Sequence, residues 1–120
     1  MIFVDPRNPK PLHEQIKESV LEQITLGVLA PGDRLPSVRE TAQSTQIAPN
    51  TIQRAYRELE AGGVISSYPG RGSFITMQSE GILERKIKET VDKFTRAASD
   101  LKKLGVAEDD LIKSVREVYG

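Results

Sequence analysis

The chain has no cysteine and a single histidine among its 120 residues. The absence of cysteine excludes a disulfide framework, thiol chemistry and zinc fingers, and leaves the redox compartment open. Net charge is also lacking: 17 Lys and Arg balance 17 Asp and Glu. Nothing in that total announces a nucleic acid, so any such argument must rest on local distribution. Residues 1–76 carry eight charges of each sign, so the balance is local as well as global. No apolar run approaches the roughly 20 residues of a membrane span. The opening MIFVDPRNPK has neither the basic start nor the long apolar core of a signal peptide. A soluble cytoplasmic protein is expected. Paired carboxylates, a Ser or Cys nucleophile with a histidine, a metal cluster and a phosphate loop are all missing, so no enzyme, metal or cofactor is expected.

What is present centres on QIAPNTIQRAYREL, Gln46 to Leu59. Ile52, Ala55, Tyr56 and Leu59 recur at offsets of three and four, giving a helix with one face toward a core. The other face carries Asn50, Thr51, Gln53, Arg54 and Arg57. Between Thr45 and Arg57 there are two arginines and no acid. Asn and Gln can bond an adenine edge, Arg can bond guanine or a phosphate, and a Thr methyl can touch that of thymine. A solvated helix face accounts for the same residues, and the helix alone leaves the two readings even.

The rest of the chain arranges itself around this helix. Ile2, Phe3 and Val4 precede a segment with prolines at 6, 9 and 11 that cannot be helical throughout, and together they read as an arm or edge strand. Leu12, Ile16, Val20 and Ile24, with Leu21 beside them, predict a first helix with Pro11 at its start and Gly27 at its end. His13 reads as a surface residue, since no second His, Cys or suitable carboxylate cluster accompanies it. After a turn at Pro31 and Gly32, a short extended stretch from Arg34 to Pro36 leads to Ser37. With Glu40 three places on, Ser37 has the form of a capping box for a short second helix, Val38 to about Ser44. Arg39 in its first turn works against the helix dipole, which fits either a nearby phosphate or base edge or a solvated arginine. Thr45 to Ala48 form a turn, and Pro49 opens the third helix at a position where its missing N–H is harmless. Two helices so joined, the second polar and basic outside, make a helix-turn-helix.

Gly62 and Gly63 end the third helix. Val64 to Tyr68 and Ser73 to Met77 are β-prone and joined by Pro69, Gly70, Arg71 and Gly72, a hairpin that forms a wing. Arg71 between two glycines lets the backbone approach a phosphate or minor groove while the guanidinium enters. From Glu80 the composition becomes charged and helix-forming. Ile87, Val91, Phe94, Ala98 and Leu101 alternate in steps of four and three, with Leu83 before them, as in a coiled-coil seam. Two heptads do not demand a coiled coil, and packing on the protein's own domain fits the same spacing. A last helix begins at Glu108, Asp109 and Asp110, with Leu111, Ile112, Val115, Val118 and Tyr119 on one face.

The strings GVLAPGDRLPSVRE, PNTIQRAYRELEAGGVI and GRGSFI, in this order, resemble the GntR family of bacterial transcription regulators, in particular its short YtrA-like members. The match covers about residues 10–76. It implies a mainly α fold with a small β-hairpin: a winged helix-turn-helix domain over 1–77, then a two-helix dimerisation tail over 78–120. It further implies DNA-binding roles for Arg39, Pro49, Asn50, Thr51, Gln53, Arg54 and Arg57, and for Gly70, Arg71 and Gly72 at the wing tip. Leu83, Ile87, Val91, Phe94, Ala98 and Leu101 become dimerisation residues. Ala48 departs from the pattern, since related sequences usually place Ser, Thr or Asn at this cap. The expected partners are a double-stranded operator carrying an inverted repeat, a second copy of the chain and an unidentified small-molecule effector, with no membrane. A repressor is the first expectation. The competing reading is a winged helix that binds protein, against which the acid-free basic face argues.

Overall fold

The computed structural model describes residues 2–120. Among them are five helices and one sheet: α1 (Leu12–Thr25), α2 (Val38–Thr45), α3 (Pro49–Ala61), β1 (Ile65–Tyr68), β2 (Gly72–Ile75), α4 (Ser79–Lys103) and α5 (Glu108–Tyr119). The chain divides into two compact units, one ending at Glu84 and the other spanning Arg85–Gly120.

In the first unit, α1 stacks on α3 and α2 closes against α3. The repeat of four on α1 buries Ile16, Val20 and Ile24, and these meet Ile52, Ala55, Tyr56 and Leu59 of α3 in one core. Fully burying one such aliphatic side chain contributes about 1.5–3 kcal/mol, so this face holds the three helices together. Tyr56 adds direction. Its hydroxyl donates to the Pro36 carbonyl at 2.7 Å and meets Thr41 Oγ1 at 3.0 Å, tying α3 to α2 and to the segment before it.

The N-terminal residues form an arm and no strand. Phe3 N donates to Ser19 Oγ at 3.0 Å and Asp5 N to Gln15 Oε1 at 2.8 Å. The Gln15 side-chain amide returns bonds to the Asp5 and Lys10 carbonyls. Buried polar side chains of α1 thus satisfy the arm's backbone, which removes the need for a sheet partner.

The capping box forms as the sequence predicts: Glu40 N donates to Ser37 Oγ and Ser37 N to Glu40 Oε1. Gln46 closes α2 in the left-handed region at φ 62°. At the start of α3, Ala48 stands at the cap with no side-chain bond and Pro49 is the first helical residue.

The wing is shorter than expected. β1 and β2 pair from Ile65↔Ile75 to Tyr68↔Gly72, while Val64 N turns back to Leu59 O and Met77 lies outside the pairing. A third piece joins the sheet: Arg34 bridges Phe74, with Leu35 N donating to Ser73 O and Ile75 N to Asp33 O, both at 2.8 Å. Glu60 accepts from Ser67 N at 2.6 Å, fastening β1 to the end of α3.

Leu83, expected on the dimer seam, is placed elsewhere. It is 8% exposed and belongs to the core of the first unit. The first turn of α4 packs there, and Ile82 Cδ1 lies where a Cβ on Gly63 would stand only 3.1 Å away.

In the second unit, α4 and α5 are joined through Gly105 at φ 86°. Lys102 and Lys103 in the last turn of α4, and Glu108, Asp109 and Asp110 in the first turn of α5, each complement a helix dipole. Phe94, Ala98 and Leu101 of α4 and Leu111, Val115 and Val118 of α5 line an apolar groove of about 270 Å³. Ile112 and Tyr119 lie outside it and are exposed, so the apolar side of α5 is split between groove and surface. Ile87 and Val91 are also exposed. Among the described residues no helix is long and apolar enough to cross a membrane.

Candidate nucleic-acid interface

The outward side of α3 carries Pro49, Asn50, Gln53, Arg54 and Arg57, all exposed, with Thr51 half-buried at its edge. This follows from the helical repeat, since the residues between them enter the core. Two concavities extend the surface. One is lined by Arg39 of α2 together with Gln46, Ala48 and Pro49 across the turn. In the other, Gln53 of α3 faces the wing tip, Gly70, Arg71 and Gly72. Arg39 thus shares one concavity with the start of α3, and Arg71 shares another with Gln53.

Arg54 is placed differently from its neighbours. Its Nε lies 3.6 Å from Glu58 Oε2, one turn along α3, although the side chain is 61% exposed. Arg39, Arg57 and Arg71 have no carboxylate within ion-pair distance among the described residues. The acids of α3 face the scaffold: Glu58 meets Lys17 at 3.5 Å and His13 at 3.8 Å, and Glu60 accepts from Ser67. Glu40, next to Arg39, is held below the ordinary carboxylate range. The backbone bond from Ser37 is the main cause, followed by the Ser37 hydroxyl bond and the charge of Arg34. An ionised Glu40 in the first turn of α2 offsets the unfavourable position of Arg39 against the helix dipole.

Two features are illegible in the sequence. His13 is not a free surface residue: its side chain is only 13% exposed, and Nε2 lies 3.3 Å from Glu14 Oε1. His13, Glu14 and Glu58 cluster closely, and the ammonium of Lys17 lies 3.5 Å from both carboxylates. A countercharge is thus already supplied there. Arg34 lines the concavity between α3 and the wing together with Gln53 and Arg71. Its only sequence signal is its place in an extended stretch before α2, which says nothing of the sheet it joins.

Two helices across a tight turn, a second helix with a polar, arginine-bearing outer face and a hairpin packed beside it define a winged helix-turn-helix protein. Residues 12–75 match the family described as bacterial regulatory proteins, gntR family. The HTH-type transcriptional repressor YtrA of Bacillus subtilis (strain 168) is 36% identical over 119 residues, which cover 98% of this chain and 92% of that protein. A crystal structure of a transcriptional regulator from Oenococcus oeni is similar at TM-score 0.73 and 32% identity, covering 98% of each chain. AraR(DBD), solved in complex with operator ORX1, is similar at TM-score 0.56 and 28% identity, covering 62% of this chain and 92% of that one. The chain belongs to the gntR family of bacterial regulatory proteins and is a YtrA-like transcriptional regulator, not an enzyme.

Proposed function

We propose that this regulator is a homodimeric repressor that binds an inverted-repeat operator. Asn50, Thr51, Gln53 and Arg57 of α3 read the major groove, with Pro49 and Arg54 at its margin. Arg39 takes a phosphate, and Gly70, Arg71 and Gly72 reach the backbone or the adjacent minor groove. One observation carries the reading: Arg57 on the exposed face of α3 and Arg71 at the wing tip have no carboxylate within ion-pair distance among the described residues, while Glu58 and Glu60 of α3 also bond to the scaffold. The likeness to AraR(DBD), itself solved on an operator, supports it.

A single recognition helix reads few base pairs, and each good bidentate contact supplies about 1–3 kcal/mol of discrimination. Specific binding exceeds non-specific binding by about 4–10 kcal/mol, which two copies on a two-fold site can reach. The dimer forms through α4, with Ile87 and Val91 exposed for a partner and Phe94, Ala98 and Leu101 at the margin of the groove with α5. That groove, about 270 Å³, lies just below the roughly 300–1,000 Å³ of ordinary ligand pockets. A small-molecule effector seated there would be small or held jointly with the second copy.

Fluorescence anisotropy over a salt series tests the proposal, with duplex from upstream of the protein's own gene, a scrambled duplex, and duplexes selected from a randomised pool. Tight, salt-sensitive binding to a preferred sequence is expected, with Arg39→Ala and Arg71→Ala each lowering affinity and the salt slope by about 0.9. Failure to select any sequence, or to bind any duplex at low salt, would leave the winged helix as a protein-binding module.

A further inference from the structure

The concavity between α3 and the wing holds a second arginine besides Arg71. We propose that Arg34 is a DNA-contacting residue that binds a backbone phosphate between recognition helix and wing, and that Gly72 is the seat holding its guanidinium in place. The proposal rests on the DNA-binding reading above.

The backbone of Arg34 is fixed first. It bridges Phe74, and the next residue, Leu35, donates to Ser73 O at 2.8 Å. Arg34 is therefore the edge residue of the wing sheet, and its side chain emerges at a defined place. The guanidinium then lies over Gly72, where a Cβ would stand 2.7 Å from Arg34 Nε and 3.3 Å from Nη2. Gly72 is favoured by its backbone angle, φ 108°, and a Cβ there would also displace the guanidinium above it.

Placed in this way, the guanidinium lines the concavity with Gln53 of α3 and Arg71 of the wing tip. No carboxylate lies within ion-pair distance of it among the described residues. Glu40 is within reach of its field, but a Glu40 oxygen accepts from Ser37 N in the capping box. A cation positioned by the fold, with no carboxylate in ion-pair distance among the described residues and sharing its concavity with a second arginine, suits an anion brought from outside. The planar fork of a guanidinium fits phosphate in particular. Phosphate contacts position a protein on the duplex without reading sequence, so Arg34 would fix the distance between wing and helix rather than choose a base.

The test uses the full chain and the duplex selected above. Arg34→Met retains the side-chain length and removes the charge; it should weaken binding about tenfold and reduce the slope of log K against log salt by about 0.9. Arg34→Lys should keep the slope while losing part of the affinity. Gly72→Ala strains the backbone whichever residue stands above it, so it is read in a cycle with Arg34→Met, with thermal melts confirming that each variant folds. Its effect on affinity should be large with Arg34 present and small without it. Binding by the wild type together with an unchanged slope in Arg34→Met overturns this assignment alone. An equal effect of Gly72→Ala in both backgrounds overturns the seat. Wild-type protein that binds no duplex removes the DNA-binding reading and this inference together.

Discussion

The uncapped start of α3 gives a direct measure of how well the recognition helix is anchored. Of its first four residues, Pro49 has no N–H, while Thr51 N and Ile52 N share the Ala48 carbonyl at 3.0 and 3.4 Å. The Asn50 N–H has no partner among the described residues. A hydroxyl at residue 48 would accept from the second or third amide of the helix, a gain of about 0.5–2 kcal/mol in general. Because the Ala48 carbonyl already serves two of the amides, the lower half applies, about 0.5–1 kcal/mol. For a domain of this size that corresponds to a rise in Tm of about 2–8 °C. Ala48 is exposed and its backbone, at φ −57° and ψ 136°, accepts any residue. The informative pair is Ala48→Thr and Ala48→Val, which share a shape and differ by the hydroxyl. Urea denaturation should place Ala48→Thr above both the wild type and Ala48→Val. If the two variants unfold at the same midpoint, the α3 terminus is not limited by its missing cap and the argument fails.

Other substitutions probe the remaining contacts. Tyr56→Phe removes the bonds to Pro36 and Thr41 and should cost about 1–3 kcal/mol in urea denaturation. Burial raises the Tyr56 pKa, partly offset by the Thr41 bond. The folded state therefore resists ionisation that the unfolded chain undergoes near about pH 10. The corresponding stability is complete below that pH and lost as pH rises through the folded value. The midpoint should fall between about pH 8 and 10.5 in wild type and fall less in Tyr56→Phe. For the dimer, Ile87→Asp and Val91→Asp are cleaner than changes at Phe94 or Leu101, which also line the groove with α5. Both should sediment as monomers and bind the operator weakly, and persistence of the dimer would remove these residues from the interface.

The helices were legible because each leaves a local mark. The four-residue repeat of α1, the Ser37 and Glu40 box, Pro49 at the head of α3 and the acids Glu108, Asp109 and Asp110 at the head of α5 need no knowledge of the tertiary fold. The outward face of α3 followed from the same periodicity. What escaped depends on partners remote in sequence. His13 reads as exposed until α3 places Glu58 beside it. Gln15 and Ser19 of α1 carry no local sign that the arm's backbone will bond to them. Arg34 joins the wing sheet through a pairing too short to have a period. Leu83 shares the spacing of the seam, but spacing alone cannot say which body a helix face packs against, and its side chain enters the core of the first unit.

A chain with equal numbers of acids and bases can still present a cationic face if the fold sorts its charges. Here the sorting is done by short contacts. Lys17 and His13 of α1 hold Glu58, Ser67 of the wing holds Glu60, and Ser37 holds Glu40. Each of these acids is fixed to the scaffold, while Arg34, Arg39, Arg57 and Arg71 have no carboxylate within ion-pair distance among the described residues. Acids farther away than the Debye length, about 8–10 Å in ordinary salt, oppose that surface little. The neutral total has a consequence of its own on the DNA-binding reading. Non-specific affinity comes from the count of phosphates neutralised, so a small cationic area on a neutral protein adheres weakly to arbitrary DNA. Discrimination then falls to the few contacts made by Asn50, Gln53 and their neighbours. In the proposed dimer their doubling would carry the specificity, which ties the exposed residues of α4 to the face of α3 in a single proposal.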